Sequence, residues 1–260
     1  MRADRLNLME EYIMRQGTVS LEDLAAQFEI SINTVRRDLK TLLQRNTVSK
    51  VYGGVAANAQ PMLLSLSERD RRNREAKKVI GELAATLVED NSSIFLDSGS
   101  TTPLLLPFLG QKNGVTVVTH SLRALTAASK YPNLKVISLG GIYNPVTSSF
   151  GGIAAMEELQ SIGVRTAFMA ATGVSLETGL TNTTYLEAEL KQRAVQHAGR
   201  VVLMADHSKF DYSSLISFFD FKSLYAVVTD QIPGQAYLDV IREHKILLMT
   251  PPSEKLKKEY

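Results

Sequence analysis

Residues 97 to 102 read Asp-Ser-Gly-Ser-Thr-Thr, which sets four hydroxyls around one glycine, directly after the apolar run 93 to 96 and directly before Pro103. Gly99 permits a tight backbone, and the hydroxyls and free N–H groups of such a turn converge on one point. Proline favours the first turn of a helix, so a helix opening at Pro103 would add the positive end of its dipole. The chemistry that suits this composition is holding an anion, phosphate above all. The segment has neither the lysine of a P-loop nor the three-glycine spacing of a dinucleotide fingerprint, so a nucleotide is not expected. The bland alternative is an ordinary capped helix start.

Polar residues recur after other apolar runs: Thr119-His120-Ser121, Gly140-Gly141, Thr172-Gly173 and Asp206-His207-Ser208-Lys209. Lys209 suits an anionic ligand and Asp206 can accept from sugar hydroxyls. The candidate effector set is therefore Asp97, Ser98, Gly99, Ser100, Thr101, Thr102, His120, Gly141, Asp206 and Lys209. Asp206, His207 and Ser208 are triad residue types, but consecutive side chains rarely point together, so no catalytic residue is assigned. Glu187 and Lys191 stand four apart on a helical pattern, which reads either as a surface ion pair or as part of a pocket. The four histidines, His120, His197, His207 and His244, show no metal-ligand spacing and cysteine is absent, so neither a metal nor a cofactor is expected.

Elements that position these residues alternate along the chain. SIFLD (93 to 97), VTVVT (115 to 119), KVISL (135 to 139), RTAFMAAT (165 to 172), RVVLMAD (200 to 206), LYAVVTD (224 to 230) and KILLM (245 to 249) read as buried strands. Helical patterns lie between most of them, at 121 to 129, 154 to 162, 184 to 198 and 235 to 244. Strand, helix, strand in sequence implies an α/β class with a Rossmann-like, largely parallel sheet and helices on both faces. Such sheets bind ligands at the carboxyl ends of their strands, where the hydroxyl-rich segments fall.

The first 57 residues carry a different chemistry. A helix from about Ala3 to Gln16 ends at Gly17; a second, capped by Ser20, presents Leu21, Leu24, Ala25 and Phe28; Glu29-Ile30-Ser31 turns the chain. In the third helix Ile32, Val35, Leu39, Leu42 and Leu43 form one stripe, while Asn33, Arg37, Lys40, Thr41 and Gln44 point away and Arg36 lies at the border. Between Ile32 and Arg45 four basic residues face one acid, Asp38, so a helix of major-groove width carries positive charge toward phosphates. Val48 to Val51 and Val55-Ala56 flank Tyr52-Gly53-Gly54 as a hairpin wing. This is the layout of a winged helix-turn-helix for double-stranded DNA, with contacts expected from Ser31, Asn33, Thr34, Arg36, Arg37, Lys40, Lys50 and Tyr52.

At 260 residues the chain exceeds one such module and accommodates a second domain. The expected division is a DNA-binding domain at 1 to 57, a linker and basic helix start at 58 to 75, an α/β domain at 76 to 250 and a tail at 251 to 260. The helix from Ser67 to Leu87 begins with Arg69, Arg71, Arg72, Arg74, Lys77 and Lys78, read either as a solvated start or as a contact to phosphate or a partner subunit. A formal charge of only +2 means that DNA affinity must come from a local surface, reinforced by homo-oligomerisation. The absence of cysteine, of a signal peptide and of an apolar run near about 18 residues leads to the expectation of a cytoplasmic protein with no membrane partner.

TVRRDL (34 to 39), YGG (52 to 54), DSGSTT (97 to 102), GG (140 to 141) and ADHSKF (205 to 210) together resemble the DeoR family of bacterial transcription regulators, over about residues 3 to 250. The resemblance implies a winged helix-turn-helix joined to a sensor domain similar to ribose-5-phosphate isomerase and glucosamine-6-phosphate deaminase. It also implies repression of sugar-catabolism genes until a phosphorylated sugar binds, with Asp97 to Thr102 and Lys209 as effector residues and Ser31 to Lys40 as DNA residues. Members commonly show Thr-Asn-Ser where this chain has Thr119-His120-Ser121, so the contact there is expected to differ or to respond to pH. The segment Ala170-Ala171-Thr172-Gly173 lacks the carboxylate that isomerase relatives carry, which argues against the alternative of an active sugar-phosphate isomerase or deaminase, since proton transfer needs a positioned base. The third reading is a DNA-binding protein whose second domain only oligomerises.

Overall fold

The computed structural model describes residues 2–44, 48–57 and 66–252, and the chain divides into two compact units, Met1–Leu64 and Ser65–Tyr260. Residues 58 to 65 of the expected linker segment at 58 to 75, and most of the tail, lie outside the described residues.

In the first unit α1 (Arg2–Gln16) buries Leu6, Met9 and Ile13 and stops at Gly17, whose φ of 74° is left-handed. After β1 (Thr18–Ser20), the Ser20 hydroxyl accepts the Asp23 N–H at 3.0 Å and caps α2 (Leu21–Gln27). The turn through Glu29, φ 52°, leads to α3 (Ile32–Gln44), whose Thr34 N–H donates to Ser31 Oγ at 3.3 Å. The wing consists of β2 (Val48–Val51) and β3 (Gly54–Ala57), and the sheet order is β1-β3-β2. Strand β1 was not anticipated, because three residues with one buried apolar side chain, Val19, show no period. Gly54 starts β3 instead of closing the turn, and a Cβ there would lie 2.2 Å from the Val19 carbonyl oxygen. Ile32, expected on the packed stripe, is exposed at the helix start.

The second unit opens with α4 (Leu66–Arg71) and α5 (Arg74–Ala85). The single helix expected from Ser67 to Leu87 is broken because Asn73 adopts a left-handed φ of 50° and donates to Asp206 Oδ1 at 2.9 Å. Residues 66 to 75 are thus part of this unit, with Leu66 buried and its N–H on the Val146 carbonyl.

The sheet uses β4 (Ser93–Leu96), β5 (Thr116–Thr119) and β6 (Lys135–Ser138), with α6 (Leu122–Ala128) between the last two. A hairpin follows, β7 (Ile142–Asn144) with β8 (Ser149–Gly151), then α7 (Ile153–Gln160) and β9 (Val164–Met169). Next come β10 (Gly173–Ser175), β11 (Gly179–Asn182), α8 (Tyr185–Gln196), β12 (Ala198–Met204), β13 (Ile216–Phe219), β14 (Ala226–Val228), α9 (Gln235–Glu243) and β15 (Leu247–Met249). Seven strands pair in the order β15-β14-β12-β9-β4-β5-β6, and every pairing is parallel. Successive side chains alternate between faces. Phe95, Ala167 and Leu203 therefore pack with α7, α8 and α9, while Ile94, Leu96, Phe168 and Val202 pack with α5 and α6.

The order reverses between β4 and β9, since β5 and β6 extend one way and β9, β12, β14 and β15 the other. Their carboxyl ends splay apart at such a point and leave a crevice. Two features depart from the expected pattern there. The segment Thr102–Leu109 is a 3-10 helix, because Pro107 lacks the N–H that an α-helix needs. A small antiparallel sheet, β10-β11-β13, also stands beside the crevice and was not foreseen.

Candidate functional site

The crevice is lined by Ser98, Gly99, Ser100 and Thr101 after β4, by Ala170 to Thr172 after β9, by Met204 at the end of β12 with Ala205 and Lys209 beyond it, and by Arg69, Asn182, Glu187 and Lys191. Its cavity volume is about 40 Å³, roughly three times the 10–15 Å³ that one water needs. The backbone N–H groups of Ser98, Gly99, Ser100 and Thr101 have no hydrogen-bond acceptor among the described residues. Gly99 is required because a Cβ would lie 2.2 Å from that of Ala170.

Two kinds of polar group meet at the crevice. In the first, Thr172 Oγ1 donates to Asn182 Oδ1 at 2.9 Å, and Glu187 Oε2 accepts from Asn182 Nδ2 at 3.0 Å and from Thr184 Oγ1 at 2.8 Å. This chain of oriented polar groups suits ligand hydroxyls. The second is cationic. Lys77 Nζ, buried behind the loop, donates to Ser100 Oγ at 3.1 Å and to the Arg69 carbonyl at 2.5 Å. Burial drives Lys77 down to about 8, against the pull of Asp206. Burial likewise lowers the Arg69 guanidinium, with Glu187, Asp97 and Asp70 opposing the shift.

Ser98, Gly99, Ser100, Thr101 and Lys209 line the crevice as expected residues, whereas Asp97, Thr102, His120, Gly141 and Asp206 do not. The Asp97 carboxylate is fully buried, paired with Lys191 and accepting the Ala170 N–H at 3.0 Å. Burial opposes its ionised form, yet Lys191, His120 and that N–H hold it below the usual carboxylate range. Thr102 spends its hydroxyl on the Asp97 carbonyl at 2.6 Å. Asp206 takes the Ser208 hydroxyl at 2.5 Å and the Asn73 amide; burial opposes its charge, but Lys209, Lys77 and these bonds bring it down to about 2. His120 stacks on Phe95 with its Nδ1 unpartnered, and burial lowers it to about 4, so it is neutral near pH 7. Gly141, φ 114°, sits where a Cβ would meet the Gly151 carbonyl oxygen at 2.3 Å, so its role is the approach to β8.

Glu187 and Lys191 do not pair with each other: Glu187 binds Asn182 and Thr184, while Lys191 binds Asp97, the Ala170 carbonyl at 2.8 Å and the face of Phe218. Asn182 was missed, and Arg69, weighed only within the basic run as a contact to phosphate or a partner subunit, was not in the expected effector set. Neither shows a local pattern of its own, because one sits in a charge run and the other ends a four-residue strand.

In the first unit Ser31, Asn33, Arg36, Arg37 and Lys40 are exposed along α3, with Thr34 half-buried, and Lys50 and Tyr52 are exposed on the wing. Asp38, the one acid of the helix, points inward and receives Arg5 Nε at 2.9 Å and a second nitrogen at 2.7 Å. The outward face of α3 is left with cations and small polar groups. Among the described residues no group of side chains could hold a metal ion, and no helix is long and apolar enough to cross a membrane.

A winged helix-turn-helix followed by an α/β ligand domain defines a class of DNA-binding regulators. Residues 5–61 match the DeoR-like helix-turn-helix domain and residues 72–231 the DeoR C terminal sensor domain. The HTH-type transcriptional regulator IolR of Bacillus subtilis (strain 168) is 39% identical over 246 residues, covering 95% of this chain and 98% of its own. The glycerol-3-phosphate regulon repressor of Escherichia coli (strain K12) is 25% identical, covering 95% and 98%. Ribose 5-phosphate isomerase A of Methanocaldococcus jannaschii superposes with a TM-score of 0.39 and 23% identity over 53% of this chain and 55% of that one. The chain belongs to the DeoR family of DNA-binding transcriptional regulators.

Proposed function

We propose that the protein represses a carbohydrate-catabolism operon and leaves its operator when a phosphorylated sugar enters the crevice between β4 and β9. The observation that carries this reading is the set of unengaged N–H groups on Ser98 to Thr101, in a crevice that Lys209 and the Thr172-Asn182-Glu187 rail also line. A phosphoryl group takes the N–H groups and the cation; sugar hydroxyls take the rail. Ser31, Asn33 and Thr34 address base edges as α3 enters the major groove, and Arg36, Arg37, Lys40, Lys50 and Tyr52 address phosphates and the flanking groove.

Each chain carries one reading helix, so two half-sites require a homo-oligomer, acting in the cytoplasm where operator DNA lies. Effector then favours an arrangement in which the two helices are wrongly spaced. Moving from mostly bound to mostly free takes about 10⁴-fold preference of the effector for the released state. The test is a panel of pentose and hexose phosphates scored by melting temperature and operator release. A rise in melting temperature with release and without turnover is expected, and Thr101→Glu, which sets a carboxylate among the N–H groups, abolishes it while DNA binding persists. Turnover of any panel member, or no response to the whole panel, refutes the proposal.

A further inference from the structure

Arg69 lies on α4, the first described element of the second unit, and its side chain lines the crevice. Its Nε is buried and has no hydrogen-bond partner, and no other hydrogen bond from its guanidinium exists among the described residues. A structural arginine in such a place is hydrogen-bonded by its surroundings. The carboxylates that act on Arg69 electrostatically, Glu187, Asp97 and Asp70, are each engaged elsewhere: with Asn182 and Thr184, with Lys191, and with Arg123.

The backbone of the same residue is tied to the anion loop. One ammonium, that of Lys77, bridges the Arg69 carbonyl and Ser100 Oγ. The start of α4 is held by the Leu66 N–H on the Val146 carbonyl, and its last turn also by Asp70 with Arg123. α4 is thus fixed to the sensor at its ends, yet its one side chain in the crevice lacks an acceptor. The chain leaves α4 backward through residues 58–65 toward the DNA-binding unit.

Building on the proposed sugar-phosphate response, we infer that Arg69 is an effector-binding residue, its guanidinium taking phosphoryl oxygens opposite the Ser98–Thr101 N–H groups, and that the effector is sensed through α4. The guanidinium fork suits this task, since its two parallel N–H groups fit two oxygens of one phosphate. Occupancy then holds α4 from both sides, by Arg69 on the ligand and by Lys77 on the loop that cradles it. A released state with α4 firmly docked differs from the operator-bound state at the first residues beyond the DNA-binding unit.

The experiment uses the full chain with ribose 5-phosphate, glucose 6-phosphate, fructose 6-phosphate and inorganic phosphate as probes. Binding is followed by calorimetry and amide exchange by mass spectrometry over residues 66–71. For the probe that binds wild type most tightly, Arg69→Gln is expected to weaken binding roughly 10- to 100-fold, the loss of one charge-assisted bond set. Arg69→Lys, which keeps the charge and loses the fork, is expected to fall between. Release of operator by the probe needs correspondingly more of it. Wild-type exchange over 66–71 slows on binding; this readout stands even where a variant fails to fold. Equal probe affinity for wild type and Arg69→Gln, or unaltered exchange over 66–71, overturns the inference and leaves the crevice reading intact. Absence of binding by all probes to wild type overturns both.

Discussion

The two units use the same basic side chains in opposite ways. Along α3 and the wing, Arg36, Arg37, Lys40 and Lys50 stand in solvent, and the acid that would neutralise them, Asp38, is turned inward onto Arg5. In the sensor unit Lys77 and Lys191 are almost fully buried, each with partners drawn from distant elements. Exposed cations suit a long polyanion that arrives from outside, and their worth is a matter of summed charge and counterion release. Buried cations suit a single small anion and are matched one by one, because an unmatched charge in a dry site is strongly unfavourable. The difference predicts that single substitutions will be severe in one region and graded in the other.

The most severe case expected is Asp97→Asn, which leaves the Lys191 ammonium buried beside a neutral amide. Removing one partner of such a pair costs about 3–5 kcal/mol. Calorimetry of the full chain should show the transition of the sensor unit falling steeply, while Asp97→Leu with Lys191→Met recovers much of the loss. Arg36→Ala, the matching change on an exposed cation, should leave stability within about 0.5 kcal/mol. If Asp97→Asn proves as mild as Arg36→Ala, the contrast between the units is mistaken.

This contrast also explains which parts of the molecule were legible in its sequence. The three helices of the first unit follow from their apolar period and from local caps at Ser20 and Ser31, whose partners are three residues away. The parallel strands were visible as uninterrupted apolar runs, and the hydroxyl loop as composition. Pairing across long separations left no such trace: Asn73 with Asp206, Lys191 with Asp97, and the rail from Thr172 to Glu187 depend on how strands are ordered. A weak signal did exist. Lys191 falls three residues after buried Ala188 and three before buried Ala194, and Lys77 precedes buried Ile80, Gly81 and Ala84 on one face of α5. A lysine on an apolar stripe announces a buried charge that needs a partner. The loop residues Asp97 and Thr102 were grouped with their neighbours for want of a direction, and the structure turns both inward.

An intermediate effect separates titration from ligand contact at His120. Its folded value of about 4 lies below the usual 6.5, so between those values the unfolded chain binds the extra proton. Stability from the neutral imidazole is fully present above about pH 6.5 and is lost as pH falls toward 4. At pH 5 the loss amounts to something on the order of 2 kcal/mol. Asp206 and Asp97, both held low, titrate below this window. The melting temperature of the sensor unit should therefore drop between pH 6.5 and 4.5 in wild type and much less in His120→Asn. A slope that survives the substitution would assign the acid sensitivity to another group. Any change in effector affinity between pH 7 and 8 should follow the Lys77 ammonium, which burial brings down to about 8 beside Ser100, and should persist in His120→Asn.

The smallest and most graded effect belongs to the exposed face. Arg37→Ala should lower operator affinity about tenfold, roughly 1.4 kcal/mol, and leave both melting temperature and the effector-induced rise unchanged. Its salt dependence decides the kind of contact. If Arg37 meets a phosphate, the slope of log affinity against log salt falls in magnitude by about 1 and all sequences weaken alike; if it meets a base, the slope holds and discrimination at one operator position relaxes. Lys50→Ala on the wing provides the reference for a pure phosphate contact. Should Arg37→Ala bind operator as wild type does, the outward face of α3 is not the surface that reads DNA, and the exposed cations need another polyanion to explain them.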